Sequence, residues 1–259
     1  MNIYSMLADP IRRLSGRTAV SWGERSVTYD GLDRTAATIG AHYAALGSKR
    51  GDRVLLFLKN GFHYPALMLA AFRAGMVAVP VNAKLHPCEV AWIAGDSQPK
   101  VIVTHAECEG PLREALPEGV EPRFVIVEEF EPQPREGALP PPAEVEPDDP
   151  AWIFYTSGTT GKPKGATLTH RNLVAATTNC LADMFDFRER DRVLHVAPLS
   201  HGSGLYLIPS LARGAENILS DRPGFQPDEV FDMVAARSIT AIAFVAPTMI
   251  VRMLEVAPP

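Results

Sequence analysis

Apolar positions in the first half of the chain alternate between two periods. Leu32, Ala36, Ile39, Tyr43 and Leu46 recur four or three residues apart, the spacing of an amphipathic helix, and Gly47 stands where that helix stops. "RVLLFL" (Arg53–Leu58) reads as a buried strand, "PALMLAAFRAG" (Pro65–Gly75) as a helix closed by glycine, and "VAVPV" (Val77–Val81) as a short strand. "PCEVAWIAGDS" (Pro87–Ser97) is a helix with proline in its first turn, and "KVIVT" (Lys100–Thr104) a further strand. Helix and strand alternate over short connections, which predicts an α/β fold built on largely parallel sheet flanked by helices.

The pattern breaks at Glu131–Pro150, where seven prolines stand among six acidic residues and one basic residue. Such a stretch forms neither helix nor central strand, so it reads as a surface connector between subdomains of about 1–130 and 151–259. The alternation then resumes. "AWIFY" (Ala151–Tyr155) is a strand, "GATLTH" (Gly165–His170) is extended, and Thr169 can cap a helix carrying Leu173, Cys180, Leu181 and Met184. "RVLHVAP" (Arg192–Pro198) is a strand, and Pro227, Asp228 and Glu229 open a helix. "TAIAFV" (Thr240–Val245) is a strand, and "PTMIVRMLEV" (Pro247–Val256) a final helix.

Composition narrows the function classes. A net charge of −5 leaves no basic excess for unspecific nucleic-acid binding. Three scattered cysteines, Cys88, Cys108 and Cys180, make no CxxC pair and fit a reducing compartment. The first residues lack a sustained apolar run, and "SITAIAFVAPTMIV" is broken by Pro247 and falls short of the ~20 residues of a spanning helix. The expectation is a cytoplasmic protein without a membrane span.

Candidate chemistry concentrates in "YTSGTTGKPKG", eleven residues from Tyr155. Glycines after a strand let successive backbone N–H groups turn inward to form an anion site. Thr156, Ser157, Thr159 and Thr160 add hydroxyls, Lys162 and Lys164 add charge, and Pro163 stiffens the end. The Walker pattern fails, because Gly161-Lys162 is followed by proline and Gly161 lies only three residues after Gly158. The spacing GxGxxG is absent, and Tyr155 stands where a GxSxG elbow needs glycine, so Ser157 is a donor and not a nucleophile.

The loop resembles, over all eleven positions, the signature loop of the adenylate-forming enzymes: acyl-CoA synthetases, peptide-synthetase adenylation domains and firefly-type luciferases. "VTYDGLDRTAATIGAHYAALGSKRGDRVLLFLKN", "AGMVAVPVNAKLHPCEVAWIAGDS", "VAPLSHGSGLY" and "ITAIAFVAPTM" are similar to further segments of that family, so the resemblance covers nearly the whole chain. It implies the N-terminal part of the family's large domain. It also implies ATP-dependent activation of a carboxylic acid, a fatty acid by overall likeness, to an acyl-adenylate and then to acyl-CoA, with ATP, Mg²⁺ and CoA. A carboxylate is already ionised at neutral pH, so the step needs alignment and charge cover and no general base. By resemblance, Thr156, Ser157, Gly158, Thr159, Thr160 and Gly161 wrap the phosphates with Lys162 beside them, Lys164 contributes charge to catalysis, and Thr156 touches the metal. His201 corresponds to a position near the acyl site and Phe244 to a wall of its pocket. Each has a plain alternative, a hydrogen-bonded turn residue and a core aromatic. His195, on its strand, reads as structural.

The family's "YGxTE"-like adenine and ribose motif, its acidic ribose ligand, its hinge and its C-terminal domain with the adenylation lysine are not found among the 259 residues. The expectation is therefore an N-terminal portion, catalytically incomplete alone, with uncovered apolar surface that invites self-association. Two alternatives stay open: a non-catalytic phosphate-binding or interaction module, and an adenylation domain of another superfamily branch.

Overall fold

The computed structural model describes residues 2–156, 162–222 and 224–256. In chain order the elements are α1 (Ala8–Arg13), β1 (Thr18–Trp22), β2 (Arg25–Thr28), α2 (Tyr29–Ala45), β3 (Arg53–Phe57), α3 (Tyr64–Arg73), β4 (Val77–Val81), α4 (Pro87–Ser97), β5 (Val101–Thr104), α5 (Ala106–Ala115) and β6 (Arg123–Ile126). Then come β7 (Pro150–Thr156), β8 (Lys164–Thr169), α6 (His170–Asn179), β9 (Arg192–His195), α7 (Gly202–Ala212), β10 (Glu216–Leu219), α8 (Pro227–Arg237), β11 (Ala241–Ile242) and α9 (Pro247–Leu254). The alternation read from the sequence is therefore present, as an α/β fold of mostly parallel sheets flanked by helices.

The chain forms two compact units. Residues 1–6, 31–59 and 63–175 make the first; residues 7–30, 60–62 and 176–259 make the second. The division falls inside α6 and not at the proline-rich stretch, whose residues lie wholly in the first unit. That stretch is fastened through its backbone. Arg34 donates to the carbonyls of Arg135 and Gly137, Thr38 to that of Gln133, and Arg73 to that of Pro140. Its last residue, Pro150, opens β7, where a missing N–H is tolerated at the first position of a strand.

In the first unit six strands pair in the order β6-β5-β3-β4-β7-β8, parallel except for the β7–β8 hairpin. β4 is buried along its whole length and β3 along all but Arg53, as apolar strands covered on both faces must be. α3 is buried on every side, which explains a helix sequence with no polar stripe. Its one charge, Arg73, bonds Asp33 Oδ1 at 3.0 Å, and Tyr4 donates its hydroxyl to the same carboxylate. α4 starts in a capping box between His86 and Glu89. α5 was not foreseen, because Gly110-Pro111 reads as a break. The helix runs through Pro111 nonetheless, held down by the fully buried Leu112.

In the second unit the order is β11-β9-β10-β1-β2, parallel except for the β1–β2 hairpin. That hairpin also escaped the sequence reading. It turns through Gly23-Glu24, and Gly23 adopts the positive φ of +55° that a two-residue turn demands. α7 escaped because Pro209 lies within it, and its buried Leu207, Ile208 and Leu211 hold it against that defect. The last strand is shorter than expected, Ala241–Ile242 in place of Thr240–Val245.

Candidate functional site

The glycine-rich loop is rooted in the β7–β8 hairpin. Tyr155 pairs with Gly165, and Thr156 with Lys164. Directly opposed residues of an antiparallel pair share a face, with Cβ atoms about 4.5–5.5 Å apart. Thr156 and Lys164 are thus neighbours on one face, and both are exposed. Lys162 is exposed as well, whereas Ser157, Gly158, Thr159, Thr160 and Gly161 lie outside the described residues. β7 is parallel to β4, so this root emerges at the carboxyl edge of the parallel strands, the edge at which open α/β sheets bind ligands.

The opposite face of the root is anchored. Tyr155 is nearly buried and donates its hydroxyl to Asp96 Oδ2 at 2.5 Å, while Trp92 meets its ring edge-on at 6.4 Å. Burial and the adjacent Asp96 carboxylate push the phenol pKa far up, so it remains a donor. Gly165 is required here. A Cβ on it would stand 2.8 Å from Tyr155 Cζ and 2.8 Å from Ile153 Cγ2. Neither Asp96 nor the tyrosine–glycine pairing carried a signal in the sequence, because both depend on strand register and on a helix far away in the chain.

In the second unit the structure brings His201 and Phe244 into one neighbourhood. His201 is the N-cap residue of α7, half-buried, with Nδ1 3.0 Å from the Ser200 hydroxyl, and burial lowers its pKa. The ring of Phe244 packs on the next residue, Gly202, whose added Cβ would lie 3.0 Å from Cδ2 and Cε2 of that ring. Phe244 is 36% exposed and stacks on Tyr206 with centroids 6.2 Å apart. Tyr206 in turn meets Phe185 edge-on. Phe244 is thus one end of an aromatic row, and Tyr206 and Phe185 are members that the sequence reading missed.

His195 is fully buried. Its Nε2 donates to Asn217 Oδ1 at 2.9 Å and its Nδ1 lies 2.8 Å from the Ser203 hydroxyl, an arrangement that keeps the ring neutral. Burial pushes its pKa down to about 4. The network ties α7 to β9 and β10, in agreement with a structural role. Asn60 was not anticipated. Its Nδ2 donates to the Ala197 carbonyl at 3.0 Å and its Oδ1 accepts from the Leu199 N–H at 2.8 Å, so one side chain spans the turn before His201. A lone asparagine in "LKNG" reads only as a turn residue.

Among the described residues no cluster of three or more His, Cys, Asp or Glu side chains could hold a metal ion, and no helix is long and apolar enough to cross a membrane. The Thr156 hydroxyl at the loop root suits a hard cation that arrives with phosphate oxygens and keeps most of its own water, and the Lys164 ammonium suits the phosphate oxygens themselves.

Comparison with known proteins converges on one family. The family model of AMP-binding enzymes matches residues 7–259. The sulfoacetate–CoA ligase of Cupriavidus necator is 36% identical over 213 residues, covering 76% of this chain and 40% of that protein. The long-chain-fatty-acid–CoA ligase FadD13 of Mycobacterium tuberculosis is 32% identical over 219 residues, covering 82% of this chain and 43% of that protein. The chain thus spans less than half the length of either ligase. Among solved structures, the inhibitor-bound N-terminal domain of FACL13 from Mycobacterium tuberculosis superposes with a TM-score of 0.86 at 30% identity, over 98% of this chain and 65% of that one. By that family-model match over nearly its whole length, and with the hairpin root of its glycine-rich segment at the carboxyl edge of the parallel strands, this chain belongs to the AMP-binding enzyme family.

Proposed function

We propose that this chain supplies the phosphate-binding loop and part of the acid site of an acid–thiol ligase, which activates a carboxylic acid with ATP to an acyl-adenylate and then forms acyl-CoA. Thr156, Ser157, Gly158, Thr159, Thr160 and Gly161 cradle the phosphates, and Lys162 and Lys164 offset their charge. Lys164 bears on the departing pyrophosphate, and the Thr156 hydroxyl reaches Mg²⁺ carried on the nucleotide. Mg²⁺ supplies Lewis-acid cover for the phosphate oxygens when bound. The observation that carries this reading is the pairing of Thr156 with Lys164 on one exposed face at the base of the loop.

His201 and Phe244 border the carboxylic acid. The aromatic row of Phe244, Tyr206 and Phe185 favours an apolar acyl group over a small charged one, so a medium- or long-chain fatty acid is the proposed substrate class. The free thiols and the absence of a spanning helix among the described residues support a cytoplasmic setting. The 259-residue polypeptide taken by itself forms no acyl-adenylate, a proposal motivated by its covering less than half of the two ligases compared.

Titration of magnesium pyrophosphate and MgATP into residues 1–259, followed by ³¹P NMR, tests the loop. Binding near millimolar, on the order of −4 kcal/mol, is expected, and Lys164→Ala weakens it tenfold or more. Equal affinities in the two proteins would refute the assignment. Acid-dependent ATP–pyrophosphate exchange by residues 1–259 above background would refute the inactivity of the isolated chain.

A further inference from the structure

Between β9 and α7 the chain passes through Ala197–His201 without regular secondary structure, yet Ala197, Leu199 and Ser200 are buried. Buried backbone groups need partners. Within this turn His201 donates its N–H to the Pro198 carbonyl at 3.1 Å, and Pro198 has no N–H to offer. The Ala197 carbonyl and the Leu199 N–H are both met by the side chain of Asn60. A primary amide presents a donor and an acceptor side by side, so it pairs with the C=O of one residue and the N–H two residues on, as a neighbouring strand would. Aspartate lacks the donor, and glutamine would hold its amide one methylene further away. Asn60 is held in its turn by the segment around it, since two residues on the Phe62 ring lies under the Arg25 guanidinium, 4.1 Å from its centroid.

We propose that Asn60 is a positioning residue for His201: its amide fixes the turn Ala197–His201, and with it the direction in which the imidazole faces the acid. The far side of His201 is fixed independently, because Ser203 in the first turn of α7 is bonded to the buried His195. The turn is thus held at one end by Asn60 and at the other by His195. The proposal rests on reading His201 as an acid-site residue, and the experiment separates the two.

The test uses residues 1–259 labelled for NMR, wild type against Asn60→Ala, with Asn60→Asp as a second variant that keeps the acceptor and loses the donor. Three readouts are compared: amide hydrogen exchange of Leu199, the ring Cε1–H signals of His201 and His195, and the shift of the His201 signal on adding sodium octanoate. In Asn60→Ala the Leu199 amide exchanges at least tenfold faster, the His201 ring signal moves, and the His195 ring signal stays. Asn60→Asp gives an intermediate result and serves alone if the alanine variant does not fold. Octanoate affinity, read at His201, falls at least tenfold in Asn60→Ala. An unmoved His201 ring signal would overturn the proposal. So would a joint movement of His195 and His201 with general loss of amide protection, which marks a purely structural residue. If octanoate leaves His201 unmoved in the wild type, the acid-site reading fails, while the ring and amide comparison still decides whether Asn60 sets the turn.

Discussion

Replacing Gly165 with alanine probes how the base of the glycine-rich loop is held. The new Cβ would stand 2.8 Å from Tyr155 Cζ and from Ile153 Cγ2, and 3.1 Å from the Tyr155 hydroxyl oxygen. Carbon contacts settle at about 3.5–4.0 Å, so neighbours on two sides must yield by more than half an ångström. The ring cannot simply rotate away, because its hydroxyl is bonded to Asp96 and its flank meets Trp92. Overpacking of this kind costs about 1–3 kcal/mol. Moving the phenol off Asp96 adds about 1.5 kcal/mol, the low end for a bond to a charged group because Asp96 is exposed. Alanine recovers about 0.5–1 kcal/mol of backbone entropy that glycine loses in a strand. The net expectation is a loss of about 3 kcal/mol, or roughly 6–12 °C in melting temperature for a unit of this size. Thermal and urea denaturation measure it, and pyrophosphate titration shows whether Thr156 and Lys164 lose their register together. In a Tyr155→Ala background the same substitution costs less, with a coupling of about 1 kcal/mol. A Gly165→Ala protein as stable as the wild type, or more so, would refute the packing argument.

Asp33→Ala leaves the buried Arg73 without its carboxylate and Tyr4 without its acceptor, and is expected to cost about 3 kcal/mol in urea denaturation. His195 has a folded-state pKa depressed from the usual 6.5 to about 4, so the unfolded chain binds its proton first. Its contribution is full above pH 6.5 and is lost as pH falls toward 4, about 3 kcal/mol across that window, and stability measured from pH 7 to 4.5 should fall less steeply in His195→Gln. In a ligase carrying this segment, His201→Ala and Phe244→Ala should change the ranking of acids by chain length with little effect on ATP affinity; a uniform loss for all acids with a lower melting temperature would make both residues plain core. Ile250, Val251 and Leu254 on α9 are exposed by 48, 55 and 81%, so light scattering on residues 1–259 should detect self-association, and a stable monomer would contradict it.

Local pattern determined a large part of this protein. Apolar runs bounded by glycine and proline gave the locations of β3, α3, β4, α4 and β5 to within a residue or two, since a strand buried on both faces has no polar positions to hide it. The eleven residues from Tyr155 carried the candidate chemistry, because glycines, hydroxyls and lysines gathered in one short segment after a strand are the groups an anion site is built from. Tertiary structure decided the rest. α5 and α7 contain prolines that locally forbid them, and they persist because Leu112 in one and Leu207, Ile208 and Leu211 in the other are buried in their cores. The β1–β2 hairpin is stabilised by pairing with β10, almost two hundred residues on, which no local signal reports. Gly165 is glycine because register sets it opposite Tyr155, and Gly202 because folding lays Phe244 against it. Asn60 shows the limit most plainly. Its identity looks like a turn preference, and its task follows from two backbone groups, at Ala197 and Leu199, that only the folded chain carries to its side chain.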